Sequence, residues 1–232
     1  MLREISVSAL TFDTLPPVTM RLPSLSIIPA ALLAAAVPHT RLPLPGPNAA
    51  ADTLRLVVAP DGNEARYRVR EQLLHVDLPS DAVGVTHAVT GTIVLDGAGH
   101  LVPGGSRITV DVRPLQSDRS YRDRYVQGRL LETATYPRVE FTPTTTSGFP
   151  AAIPSSGDFS FSVTGDLTVR NATRPVTWDV TARAIAGGYT GSASTRFTFA
   201  DFGLSKPSVP VVLSVADTIT LEYDFHLVSA SK

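Results

Sequence analysis

The chain has no cysteine. That excludes a disulfide framework, a thiolate metal site, thiol catalysis and attachment of a lipid through cysteine. Charge is also scarce: 18% of the 232 residues are Asp, Glu, Lys or Arg, and the formal net charge is -1. A chain so nearly neutral lacks the electrostatic footprint that nucleic acid demands. Low charge together with 19 prolines argues against both a coiled coil and a charged disordered chain. Only two of the basic residues, Lys206 and Lys232, are lysine. That skew towards arginine reads as genomic base composition rather than as function. The length accommodates one ordinary domain with additional material at one end.

Glycine is almost missing from residues 1–50, where Gly46 stands alone while eight prolines crowd in. This shift separates residues 1–51 from a domain expected over 52–232. Met20-Arg21-Leu22 precedes an apolar run from about Leu25 to Val37 that ends in Ala34-Ala35-Ala36. A basic start, a short apolar stretch and small residues form a secretory-signal pattern. The run falls short of the ~20 residues a membrane helix needs, and Pro29 interrupts it. The pattern favours a translation start at Met20, with cleavage after Ala36 or near Ala49-Ala50-Ala51; the alternative is a disordered N-terminal tail on a cytoplasmic protein. With the earlier cut, Pro38–Pro47 would remain as a semi-rigid spacer. The expected location is periplasmic or secreted.

From residue 54 onward the period is two. Phe159, Phe161, Val163, Leu167 and Val169 alternate with Ser160, Ser162, Thr164, Asp166, Thr168 and Arg170. Val176, Trp178, Val180, Ala182 and Ala184 continue the pattern, as do Tyr189, Ala193, Phe197 and Phe199. The last run is Ile219, Leu221, Tyr223, Phe225 and Leu227. Such runs are half-buried strands with one wet face. Asp96-Gly97, Gly104-Gly105, Asn171–Pro175 and Gly187-Gly188 supply turns between them. Short connections favour antiparallel neighbours, so the expected fold is an all-β sandwich or up-and-down barrel. Ser117–Glu132 breaks the period. Tyr121, Tyr125, Val126, Leu130 and Leu131 fall on a helical face, with Ser117 as the expected N-cap. Gly128 predicts a short helix or two pieces.

No motif of nucleophilic, phosphate-binding or metal chemistry is present, and the five histidines lack ligand spacing. His87 shares the parity of Val85, Val89, Ile93 and Leu95. It is therefore expected on the apolar side, as a polar group facing a ligand or as a core histidine with a partner. Asp118, Arg119, Arg122, Asp123, Arg124 and Arg129 stud the helical segment. They read either as a mouth that takes the polar end of a ligand or as a solvated face with pairs such as Arg119–Asp123.

Three stretches go further. Arg122-Asp123-Arg124 runs into Leu130-Leu131-Glu132 and Tyr136-Pro137-Arg138-Val139-Glu140-Phe141. Gly165-Asp166-Leu167-Thr168-Val169-Arg170 precedes Thr173-Arg174-Pro175-Val176. Phe199–Leu204 and Val215–Leu221 follow. Their order over roughly residues 64–229 resembles the YceI-like family. The resemblance implies an extended, lipocalin-like antiparallel β-barrel with a short helix near its opening. It also implies export, and an apolar lumen that holds a long isoprenoid of the polyprenyl phosphate or isoprenoid quinone kind. Three stretches depart from the family pattern: Tyr67–Leu73 is more charged, Asn171 stands where glycine is usual, and the approach to the last strand, Ser205–Pro210, is rich in proline.

Strand parity then nominates Phe141, Phe159, Phe161, Val163, Trp178, Val180, Phe197, Leu221, Tyr223 and Phe225 as lining, with His87. Tyr121, Arg124 and Tyr125 are expected near the mouth. The expected role is non-enzymatic sequestration or carriage of an isoprenoid or other long-chain lipid, in envelope stress for instance. Membrane contact is expected only for ligand exchange. No catalytic residue, metal or cofactor is expected. The alternative is a filled barrel that acts as an interaction module.

Overall fold

A computed structural model describes residues 53–230. The signal-like and proline-rich segment lies outside them. The described chain is built from eleven strands. They are β1 (Leu54–Val58), β2 (Glu64–Leu73), β3 (Ser80–Thr86), β4 (Val89–Leu95), β5 (Arg107–Asp111), β6 (Gln116–Ser117), β7 (Arg138–Ser147), β8 (Gly157–Val169), β9 (Ala172–Ile185), β10 (Gly188–Thr198) and β11 (Val212–Ser229). Helix α1 (Ser120–Tyr125) runs directly into a π turn, Val126–Leu130. Eight strands close a barrel in the order β1-β4-β5-β7-β8-β9-β10-β11, with β11 pairing back onto β1. Every pairing is antiparallel.

The three remaining strands extend the wall rather than add a second sheet. β11 pairs with β1 through Leu227–Ser229 and with β2 through Val212–Asp224. β2 pairs with β3 as β1 pairs with β4, and β3 pairs with β6 as β4 pairs with β5. Three wall strands are thus each broken once, at residues 59–63, 87–88 and 112–115. Broken strands expose backbone polar groups, and buried ones need partners. Asn63, which is buried, supplies several: its Nδ2 donates to Ala59 O (2.8 Å), and its Oδ1 accepts from His226 N (3.0 Å) and Tyr223 Oη (2.8 Å). At the next break, buried Thr86 donates to Asp111 O (3.1 Å) and accepts from Ala88 N (3.2 Å).

The back of the barrel is regular. β8 and β9 pair without a slip from Gly157↔Ala184 to Val169↔Ala172. The two-residue turn between them holds Arg170 at φ 55°. The β9–β10 turn holds Gly187 at φ 78°, a value glycine reaches without strain. On the outer face hydroxyls meet across the strands, as in Thr164–Thr177 (2.8 Å) and Thr168–Thr173 (2.9 Å). Inside, two apolar clusters form. One, at the helix end, gathers Val69, Leu167, Val169, Phe199, Phe202, Leu204 and Ile219. The other, at the far end, gathers Val180, Ala182 and Phe225.

The helix differs in detail from its expected form. Arg119, not Ser117, occupies the N-cap, and no side chain caps it. Ser117 belongs to β6. Asp123 reaches back instead, accepting from Ser117 N (2.8 Å) and Ser117 Oγ (2.7 Å). Asp123 therefore does not pair with Arg119, which lies 3.6 Å from Asp118. The helix does come in two pieces: after Tyr125 the chain widens into the π turn, closed by Leu131 N to Val126 O (2.8 Å) and containing Gly128.

Candidate functional site

The two apolar clusters leave a cavity of about 540 Å³ inside the barrel. That volume falls in the usual range for small-molecule sites. Its wall follows from strand parity. β8 contributes Phe159, Phe161 and Val163; β9 contributes Trp178 and Val180; β10 contributes Phe197. β11 contributes Leu221, Tyr223 and Phe225, β7 contributes Phe141, and α1 contributes Tyr121 and Tyr125. Aromatic rings pave the far half. Phe159 stacks on Phe161 at 5.7 Å, and Phe149 packs edge-on against both. The Tyr189 hydroxyl donates to Pro154 O (2.8 Å), tying the 148–156 loop over that end.

One expected lining residue, His87, lies elsewhere, and Arg124, expected near the mouth, stands on the helix at that end without lining the cavity. His87 sits at the break between β3 and β4, and its side chain is 72% exposed. Parity cannot be carried through such a break, because the two-residue step resets which face each side chain takes. The His87 ring instead meets Asn63 O at 3.0 Å. Arg124 is exposed on α1 and does not reach the wall. A helical turn that points Tyr121, Arg122 and Tyr125 inward turns Arg124 away.

The wall also carries charge that parity reasoning passed over. Glu71 lies on β2 with the inward-facing Tyr67, Val69 and Leu73, so the signal was a carboxylate at an apolar position. Arg122 on α1 meets it, and the two side chains are only 8% and 10% exposed. Arg122 also meets Asp118 and accepts a place beside Ser117 Oγ, to which it donates at 3.2 Å. Burial pulls the Arg122 pKa down, but the hydrogen bonds to Asp118 and Glu71 outweigh it and leave the pKa raised. The other charged residues that touch the cavity, Arg66 and Glu222, pair with each other at 3.0 Å. Every charged residue on the described wall is therefore in an ion pair.

The helix end is the open end. Tyr121 and Val211 line the cavity and are also 38% and 47% exposed. Beside them Leu74, Val76, Leu78 and Leu213 are exposed, Leu78 by 75%. Leu74 N donates to Val211 O (3.0 Å), so these residues form one ridge. Leu213 sits at the start of β11, and the others come from 74–79, between β2 and β3, and from the proline-rich approach to β11; neither segment has the strand period that would have marked its apolar residues. Among the described residues no group of His, Asp and Glu is placed to hold a metal ion. No described helix is long and apolar enough to cross a membrane.

Comparison with known proteins agrees with this architecture. The chain is 32% identical over 114 residues to a UPF0312 protein of Pseudomonas putida, covering 45% of this chain and 56% of that protein. It thus spans little more than half the length of the first relatives it matches. A UPF0312 protein of Shewanella denitrificans is 26% identical over 152 residues, covering 62% of this chain and 74% of the relative. Burkholderia cenocepacia BcnA has the same fold, with a TM-score of 0.55 and 19% identity over 75% of this chain and 99% of its own. A polyisoprenoid binding domain from Saccharophagus degradans, implicated in plant cell wall breakdown, gives a TM-score of 0.56 at 12% identity over 76% of this chain and 99% of its own. The profile of the YceI-like domain matches residues 57–227, the whole barrel from β1 to β11, and the chain belongs to that family.

Proposed function

We propose that this protein binds a long-chain isoprenoid lipid inside the barrel and carries or sequesters it without chemical change. One observation carries the reading: an apolar cavity, open at one end, whose wall holds no unpaired charge among the described residues. Each methylene buried there contributes about 0.8 kcal/mol, so a prenyl tail binds tightly without any catalytic group. The polyisoprenoid binding described for the Saccharophagus degradans domain supports the same ligand class. The signal-like segment at Met20–Ala36 supports action outside the cytoplasm, in the periplasm or beyond. The exposed ridge from Leu74 to Leu78, with Val211 and Leu213, supports brief membrane contact during ligand exchange. A filled barrel working through its outer surface is the rival, and the open cavity counts against it.

Native mass spectrometry of the full chain, followed by solvent extraction, tests this. The expected result is a retained mass matching a prenyl species, recovered in the organic phase. A bare mass that persists after incubation with polyprenyl phosphate, polyprenol and isoprenoid quinone would overturn it. Trp178, the sole tryptophan, lines the cavity and gives a second readout by fluorescence.

A further inference from the structure

The helix end of the cavity holds a compact polar cluster. Glu71 from β2 points inward and meets Arg122. Arg122 also meets Asp118 and donates to Ser117 Oγ, and Ser117 in turn binds Asp123. Arg119 lies 3.6 Å from Asp118, so three carboxylates share two guanidinium groups and the cluster keeps one net negative charge. Tyr67 lies beside it. Its ring crosses Gly84: a Cβ at Gly84 would sit 2.1 Å from Tyr67 Cε1 and 2.9 Å from Oη. Gly84 pairs with Ser117 across the sheet, so the hydroxyl is carried towards the cluster. Tyr67 lines the cavity, and its hydroxyl makes no hydrogen bond to a described side chain; Trp178 Nε1, deeper in the wall, is a buried donor without a partner among the described residues. Burial, opposed by Arg122 and reinforced by Asp123, Glu71 and Asp118, pushes its pKa up to about 12. The hydroxyl therefore stays protonated at neutral pH and is available as a donor.

Consider what head such a site accepts. An anionic head would approach three carboxylates, and the two cations among them, Arg122 and Arg119, are already paired. To recruit Arg122 it would have to strip that side chain from Glu71, and separating a buried pair is strongly unfavourable. A hydrocarbon end would leave the Tyr67 hydroxyl unpaired. An uncharged oxygen that accepts a hydrogen bond meets neither obstacle.

We infer that the cavity selects an isoprenoid with an uncharged oxygen-bearing head, a quinone or free alcohol, and that Tyr67 donates the hydrogen bond that reads it. This deepens the lipid-binding reading and rests on it. The Glu71–Arg122–Asp118 cluster supplies the discrimination against phosphate.

The test titrates the full chain, by Trp178 fluorescence and by native mass spectrometry, with four probes: geranylgeraniol, an isoprenoid quinone, geranylgeranyl phosphate and squalene. Wild type is expected to bind the alcohol and the quinone about tenfold or more tighter than the phosphate, a gap of roughly 1.4 kcal/mol or more. Tyr67→Phe is expected to weaken the alcohol and quinone about 2- to 10-fold, the worth of one neutral hydrogen bond, with squalene and the phosphate unchanged. Asp118→Asn, a change at an exposed side chain that the fold tolerates, is expected to strengthen the phosphate alone. Phosphate binding as tight as the alcohol overturns the head-group inference but leaves the cavity reading standing. So does an equal loss for all probes in Tyr67→Phe. Failure of folded wild type to bind any of the four overturns the cavity reading itself.

Discussion

At the scale of single residues, two positions hold the wall in shape by opposite means. Asn63 acts by hydrogen bonding. It is buried where β1 gives way to β2 and serves four partners, Ala59, Asp61, His226 and Tyr223. Replacing it with alanine leaves two backbone carbonyls, a backbone amide and a hydroxyl without it. A buried group left unpaired costs about 1–3 kcal/mol, and water at the break relieves part of that. Asn63→Ala is therefore expected to lower the unfolding free energy by about 3 kcal/mol in a urea titration, while Asn63→Asp, which sets a buried carboxylate oxygen against Ala59 O and Asp61 O, loses at least as much at neutral pH. Gly191 acts by absence. It lies opposite Phe225, and an added Cβ would meet Thr181 O at 2.1 Å and Phe225 Cζ at 2.6 Å. Thr181 belongs to β9, which is paired on both sides, with β8 and β10, so its backbone oxygen cannot retreat. Gly191→Ala is expected to cost about 2 kcal/mol, the range of overpacked cores, and to reduce lipid uptake by displacing the Phe225 ring from the wall. Unchanged stability would show that the wall yields more readily than paired strands should.

At the scale of elements, the outer strip of β11, β2 and β3 is a ladder of ion pairs. Arg66 pairs with Glu222 and Asp224, Arg68 with Glu222 and Asp81, and Arg70 with Asp81. Arg68, with Arg66 beside it, holds the Glu222 carboxyl below its ordinary value of 4.5; Arg70 and then Arg68 do the same for Asp81. A carboxyl depressed by folding stabilises the fold above its unfolded pKa, and that stability is lost as pH falls through the folded pKa. The melting temperature of wild type is expected to exceed that of Glu222→Gln by a constant margin above about pH 5, and that margin is expected to shrink as pH falls through the lowered folded pKa. A margin that survives at low pH would mean that Glu222 acts by packing, not charge. The same elements show what the sequence can and cannot tell. β8 to β11 are long and each has one wet face, so alternation alone put Phe159, Trp178, Phe197 and Tyr223 on the correct side. β3 and β4 are separated by a two-residue step, and a parity carried across it put His87 on the wrong face. Glu71 was legible in principle, as a charge among Tyr67, Val69 and Leu73, but its partner Arg122 comes from a helix. Sequence spacing does not say which strand a helix will dock on, and so the cluster at the mouth stayed hidden.

At the scale of the whole molecule, closure and opening are in tension. Pairing β1 with β11 closes the eight-strand ring, and the extension of its wall ends in β6, an edge of only two residues and so a poor template for aggregation. The sides of the barrel are covered by Thr, Ser and ion pairs, whereas the large exposed apolar side chains gather chiefly at the helix end: Leu74, Val76, Leu78, Tyr121, Val211 and Leu213. A soluble monomer rarely keeps such a contiguous patch without a use for it. The patch is continuous with the cavity, because Tyr121 and Val211 belong to both. A prenyl lipid leaving a bilayer for the barrel would otherwise cross water, exposing apolar surface at about 25 cal/mol per Å². A ridge that seats in the bilayer surface removes that crossing. Two substitutions separate docking from binding. Leu78 and Leu213 are 75% and 61% exposed and neither touches the cavity, so aspartate at either position leaves the wall and the core intact. Leu78→Asp and Leu213→Asp together are expected to slow transfer of a fluorescent isoprenoid from neutral vesicles by about tenfold or more, since each removes a Leu side chain worth ~1.5–3 kcal/mol of burial. Affinity for the same lipid delivered from detergent is expected to be unchanged. Transfer at the wild-type rate would remove the membrane from the path and leave exchange through water or through another protein. Loss of affinity from detergent would place the ridge inside the binding site rather than at its door.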